Sequence, residues 1–229
     1  MSYLAYYRRA HTIYDVHSPF VYGLVAEVLE DDRRYYALDR LRQSYRDQRA
    51  LGQARQSPPV GVMQWLFKLL ECLQPVHRVQ VGIGDGMAAM YQAAADTRLP
   101  LHCLSVDSST RLEVWRHWPE LSIVPHHSPD DMPADRIDYL YLHRALDSTD
   151  QLQQYERLRE HLHEWSCVVV DAPYRDPTVW ASFQQQPGVT ISVDWYHIGL
   201  LFYRTDQRSA LHTTLIEWWK KPWRAGFFS

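Results

Sequence analysis

The stretch "HRVQVGIGDGMAAMYQAAA", residues 77–95, decides how the rest of the chain is read. An apolar run, then Gly82, Gly84 and Gly86 at alternate positions, then an alanine-rich segment follow one another directly. The run around Val79 and Val81 reads as a strand and the segment from Met87 as a helix, so the glycines fall at the corner between them. Bare backbone there permits a sharp turn and a close approach by a ligand, and the helix that follows offers free N–H groups at its start. Alternating glycines alone signal only a turn. Their position, after a strand and before a helix, adds the binding reading.

Outward from that corner, apolar runs and helical segments take turns. The runs are "RVQVGI", "LHCLSVD", "LSIVP", "IDYLYL", "SCVVVDA", "VTISVDW" and "IGLLFYR". "MAAMYQAAA", "SSTRLEVWRHW", "STDQLQQYERLREHLHEW" and "DPTVWASFQQQ" stand between most of them. In the third of these helices Leu152, Tyr155, Leu158 and Leu162 repeat at helical spacing, giving one stripe to lie on a sheet. Alternation of this kind predicts an α/β fold with right-handed crossovers and a parallel sheet covered on both faces. Only "WYH" separates "VTISVD" from "IGLLFYR", too little for a crossover helix, so these two are expected to pair as an antiparallel hairpin. The expectation is a three-layer Rossmann-like fold whose seven-stranded, mostly parallel sheet is closed by that C-terminal hairpin.

Upstream, "GQARQSPPVG" at 52–61 interrupts a helical reading. Before it, Ser18 and Pro19 form a cap and first-turn pair, and Val21, Leu24, Val25, Val28 and Leu29 share a face. Residues 1–58 are thus expected to be an N-terminal helical extension, and 59–229 a Rossmann-like domain.

Composition narrows the function. A formal charge of −3, from 24 basic and 27 acidic side chains, gives no field to gather nucleic acid or an anionic membrane. No segment approaches the ~20 apolar residues of a membrane span, and the start has no apolar leader, so a cytoplasmic, reduced protein is expected. Cys72, Cys103 and Cys167 lie far apart and read as small buried hydrophobes. Many of the nine Trp, fifteen Tyr and six Phe cluster toward the ends of the chain; they are expected to pack on the domain body or on a second copy, a homodimer.

The strand after the first helix ends in Asp107, where a carboxylate can accept hydrogen bonds from both hydroxyls of a ribose; capping of the next helix is its alternative role. The glycine corner, this acid and the closing hairpin together resemble the class I S-adenosylmethionine-dependent methyltransferases. More narrowly, "YDVHSPFVYGLV" (14–25), "VDAPYRDPTVWASF" (170–183) and "VTISVDWYHIGLLFYR" (189–204) resemble a bacterial O-methyltransferase-like group, "HSPF" and the hairpin being the most specific pieces. The resemblance implies S-adenosylmethionine as cofactor and a small-molecule acceptor. It implies that Gly82, Ile83 and Gly84 run beside the methionine part and that Asp107 holds the ribose. Ser108, His127 and Ser128 would lie near the adenine, and His143, Arg144 and Asp171 would border the sulfonium and the acceptor.

Three positions depart from that pattern. Gln80 stands where the family carries an acid that positions the cofactor's amino group, His143 replaces an acid at the end of the fourth strand, and Ala172 follows Asp171 where metal-dependent relatives have paired acids. A lone carboxylate is a poor cage for a hard cation, so no metal is expected. His143 is then the candidate base, and Asp171 the second candidate catalytic group. The same departures leave open an alternative, a methyltransferase-shaped binding or assembly module without turnover. A nicotinamide-dependent oxidoreductase is disfavoured, since Met87 stands where GxGxxG needs its last glycine.

Overall fold

The computed structural model describes residues 2–104, 115, 118–132, 135–207 and 209–221. The extension contains α1 (Tyr3–Arg9), α2 (Pro19–Leu24) with Ser18 as N-cap, a π-helical turn (Val25–Leu29) and α3 (Tyr36–Ala50). The body begins with α4 (Val60–Leu73), which leads into β1 (Arg78–Val81), α5 (Met87–Ala93) and β2 (Leu101–Leu104). After β3 (Ile123–His126) come β4 (Ile137–Leu142), α6 (Ser148–Leu158), β5 (Leu162–Asp171) and α7 (Pro177–Gln184). The chain closes the sheet with β6 (Ile191–Asp194), β7 (Ile198–Phe202) and β8 (Leu211–Thr214).

The sheet has eight strands in the order β3-β2-β1-β4-β5-β7-β6-β8. β1 pairs in parallel with β2 on one side and with β4 on the other, so the winding reverses beside β1. β7 runs antiparallel to both β5 and β6, which is the expected hairpin. The count of seven is corrected to eight, because "LHTT" at 211–214 adds parallel to β6. This edge strand is half-solvated and mostly polar, so it lacks the apolar run by which the others were read.

Side chains alternate across the strands to build two cores. Tyr139, Tyr141, Cys167 and Val169 face α4 and the apolar stripe of the extension, Val21, Leu24, Val25 and Val28. Leu140, Leu142, Val168 and Val170 face Tyr155 and Leu158 of α6 and Trp180 and Phe183 of α7. Each of these buried aliphatic side chains is worth about 1.5–3 kcal/mol against exposure. The extension therefore shares the core of the sheet. Arg9 of α1 adds an ion pair of 2.8 Å to Asp194 at the end of β6.

Two local readings change. Leu162, expected to extend the stripe of the helix, begins β5 instead, after a 3-10 turn at Arg159–His161. Cys103 and Cys167 are buried, but Cys72, in the last turn of α4, is exposed. Among the described residues, no helix is long and apolar enough to cross a membrane.

Candidate functional site

The carboxyl ends of β1, β4 and β5 meet where the winding reverses, the place at which open α/β sheets form ligand crevices. Gly82, Gly84 and Gly86 all have positive φ, at 79°, 60° and 83°, a region costly for residues that carry a Cβ. The corner is braced from within. Buried Gln80 donates from Nε2 to the Gly82 carbonyl at 2.8 Å and accepts through Oε1 from Gln92 Nε2 of α5, also at 2.8 Å. Both faces of the Gln80 amide are thus used within the protein, in place of the acid the family pattern supplies. Asp85 ties the corner to the extension, accepting from the Ser57 hydroxyl at 2.7 Å and the Gln56 N–H at 2.9 Å. Neither brace carried a sequence signal, since each joins residues read as separate elements.

Each glycine of the corner faces a side chain. A Cβ on Gly82 would stand 3.2 Å from Leu146 Cγ, one on Gly84 2.4 Å from His143 Cε1, and one on Gly86 2.8 Å from Trp115 Nε1. His143 leaves the end of β4 fully buried, and burial, outweighing the nearby carboxylates of Asp171 and Asp85, lowers its pKa, which keeps the ring neutral. Its Nδ1 accepts from the Ala145 N–H at 2.9 Å. The proton of the neutral ring therefore sits on Nε2, which has no hydrogen-bond partner among the described residues.

Asp171 ends β5 with its carboxylate fully enclosed. Arg144 donates to it from Nη2 at 2.7 Å, from Nε at 3.0 Å and from its backbone N–H at 3.1 Å, and the Tyr141 hydroxyl donates at 2.6 Å. Burial works against the Arg144 charge, yet the hydrogen bonds and field of Asp171 outweigh it and raise the guanidinium's pKa. Burial and the neighbouring carboxylate push Tyr141 well above the usual phenol range, so it stays a donor. The pair neutralises the rim internally.

The structure thus brings Gly82, Gly84, His143, Arg144 and Asp171 to one rim. Ile83 is buried beside them, packed with Ala89, Ala93 and Cys103. Asp107 and Ser108 lie outside the described residues. His127 is exposed after β3, and Ser128 caps the following 3-10 turn, accepting from the Asp130 N–H. Among the described residues, no three His, Cys, Asp or Glu side chains converge as a metal cage.

No protein-family model matches the chain, and no curated protein sequence matches it. Solved structures do. An S-adenosylhomocysteine-bound methyltransferase of Podospora anserina, PaMTH1, aligns over 82% of this chain and 97% of its own with TM-score 0.60 and 9% identity. The O-methyltransferase TomG of Streptomyces achromogenes, involved in tomaymycin synthesis and solved with S-adenosylmethionine, covers 75% and 91% with TM-score 0.56 and 15% identity. An O-methyltransferase of Bacillus cereus in complex with S-adenosylhomocysteine covers 80% and 97% with TM-score 0.56 and 11% identity. The fold of this chain is the Rossmann-like fold of those methyltransferases.

The three left-handed glycines carry no side chains of their own at the carboxyl end of β1, but Leu146, His143 and Trp115 stand against them. The volume over Gly84 is taken by the His143 ring, so the fit of such a cofactor requires that ring to be turned aside.

Proposed function

We propose that this protein is an S-adenosylmethionine-dependent methyltransferase that methylates an oxygen of a small molecule without a metal ion. The observation that carries the reading is the glycine-lined corner at the reversal of the sheet, beside a rim built from the ends of β4 and β5. The fold neighbours bound to S-adenosylmethionine or S-adenosylhomocysteine support it.

When bound, the cofactor supplies a methyl group already activated on a sulfonium. The chain's own part is to align an acceptor in a dry pocket and to take one proton. Gly82, Ile83 and Gly84 offer backbone to the methionine part, Asp107 takes the ribose hydroxyls, and Ser108, His127 and Ser128 flank the adenine. His143 is the base of the proposal. Its Nδ1 lone pair is engaged by Ala145 in the buried position and becomes available when the ring turns.

The metal-free reading is supported by the donor chemistry of the rim. Asp171 spends its carboxylate on Arg144 and Tyr141, and His143 and Ala172 replace the acids that a hard cation wants. Asp171 then acts through Arg144, fixing a guanidinium at the rim. The competing account is a methyltransferase-shaped module without turnover.

The test is transfer of labelled methyl from S-adenosylmethionine to a panel of phenols and other small hydroxyl compounds, with and without EDTA. Product formed equally in both conditions supports the proposal. Transfer abolished by EDTA overturns the metal-free part, and no transfer across the panel by a protein that binds the cofactor favours the module.

A further inference from the structure

The space that Gly84 clears is filled by one side chain. An added Cβ would lie 2.4 Å from Cε1, 3.0 Å from Nε2 and 3.1 Å from Nδ1 of His143, so the imidazole itself occupies the glycine's missing volume. The ring is not held there by a complete set of partners. Nδ1 accepts from Ala145, and the ring meets Tyr141 edge-on at 5.8 Å and 80°, while the buried Nε2–H has no acceptor among the described residues. A buried donor without a partner is unfavourable, so the inward position carries a penalty that a position giving Nε2–H an acceptor would remove.

From this geometry we infer that His143 is a gate on the cofactor seat: S-adenosylmethionine enters the glycine corner only when the imidazole turns out of the space over Gly84, so residue 143 sets the affinity of the cleft. This rests on the cofactor reading above. It adds a competition between a side chain and a ligand for one volume, and the apparent affinity falls by the fraction of molecules with the ring inward. The other two glycines face Leu146 and Trp115. His143 differs from these because its inward position leaves a polar atom unsatisfied, and because turning out frees the nitrogen the proposed chemistry uses.

Equilibrium dialysis with labelled S-adenosylmethionine separates the possibilities in the wild type, His143→Ala and His143→Phe. Alanine clears the ring from over Gly84, whereas phenylalanine fills that space with a ring that has no polar atom to leave unpaired. His143→Ala is expected to bind roughly tenfold tighter than wild type or better, the factor that ~1.4 kcal/mol represents, and His143→Phe to bind more weakly than wild type. Equal affinity in all three overturns the gate while the cofactor reading stands. No binding to a folded His143→Ala, the variant without the ring over Gly84, overturns the cofactor reading itself.

Should His143→Ala not fold, imidazole NMR signals of the wild type carry the test. Loss of the NOE between the His143 ring and the Gly84 Hα protons as the cofactor saturates the protein supports the gate. An NOE that persists at saturation overturns it.

Discussion

Cε1 of His143 stands 2.4 Å from the point where a Cβ of Gly84 would be, which locks the end of β4 to the corner after β1. Gly84→Ala is therefore expected to incur two costs, about 1–2 kcal/mol for a left-handed alanine and about 1–3 kcal/mol for overpacking against the ring. In a His143→Ala background the second cost disappears. Urea denaturation of the two single variants and the double variant measures this coupling. Additive costs would show that the two residues do not contend for the same space.

The Arg144–Asp171 pair predicts an asymmetry. Arg144 keeps 14% of its side chain exposed and Asp171 none. Arg144→Met leaves a carboxylate in a dry site and is expected to cost about 3–5 kcal/mol. Asp171→Asn keeps the volume and an acceptor, and the remaining guanidinium reaches solvent, so its cost should be clearly smaller. Denaturation midpoints of the two variants check the order, and equal or reversed losses would contradict it.

Stability should fall on mild acidification. Burial, as the largest cause, lowers the pKa of His143, His102 and His197 below the ordinary 6.5. Between that value and the folded-state values the unfolded chain binds more protons, so stability is complete above pH 6.5 and is lost as pH falls through the window. His143→Gln, which removes one of these groups, should flatten the loss. Urea midpoints of both proteins between pH 8 and pH 5 test this; parallel curves would mean that His143 does not titrate with unfolding.

The strands of the sheet were legible where the signal was local. "RVQV", "IDYLYL" and "SCVVVD" are unbroken apolar runs, and "WYH" is too short for anything but a hairpin, so β1, β4, β5 and the closing pair β6 and β7 followed from the residues. β8 did not, because a four-residue polar edge strand resembles a loop until β6 is there to pair with it. The site was legible only as a place. His143, Arg144 and Asp171 were assigned to one rim, but neither the contact of His143 with Gly84 nor the clamp of Arg144 on Asp171 has a pattern in the chain, since each joins separate elements. Gln80 looked like the loss of an acid. Its partner Gln92 shows what the amide does instead, bracing the corner from α5.

Calorimetric titration of wild-type protein with S-adenosylhomocysteine tests the central claim most directly, because it asks only whether the corner after β1 takes the cofactor's product. Saturable one-site binding, weakened by Asp107→Ala, is the predicted result. No heat of binding at millimolar ligand, in the wild type and in folded His143→Ala alike, would contradict it.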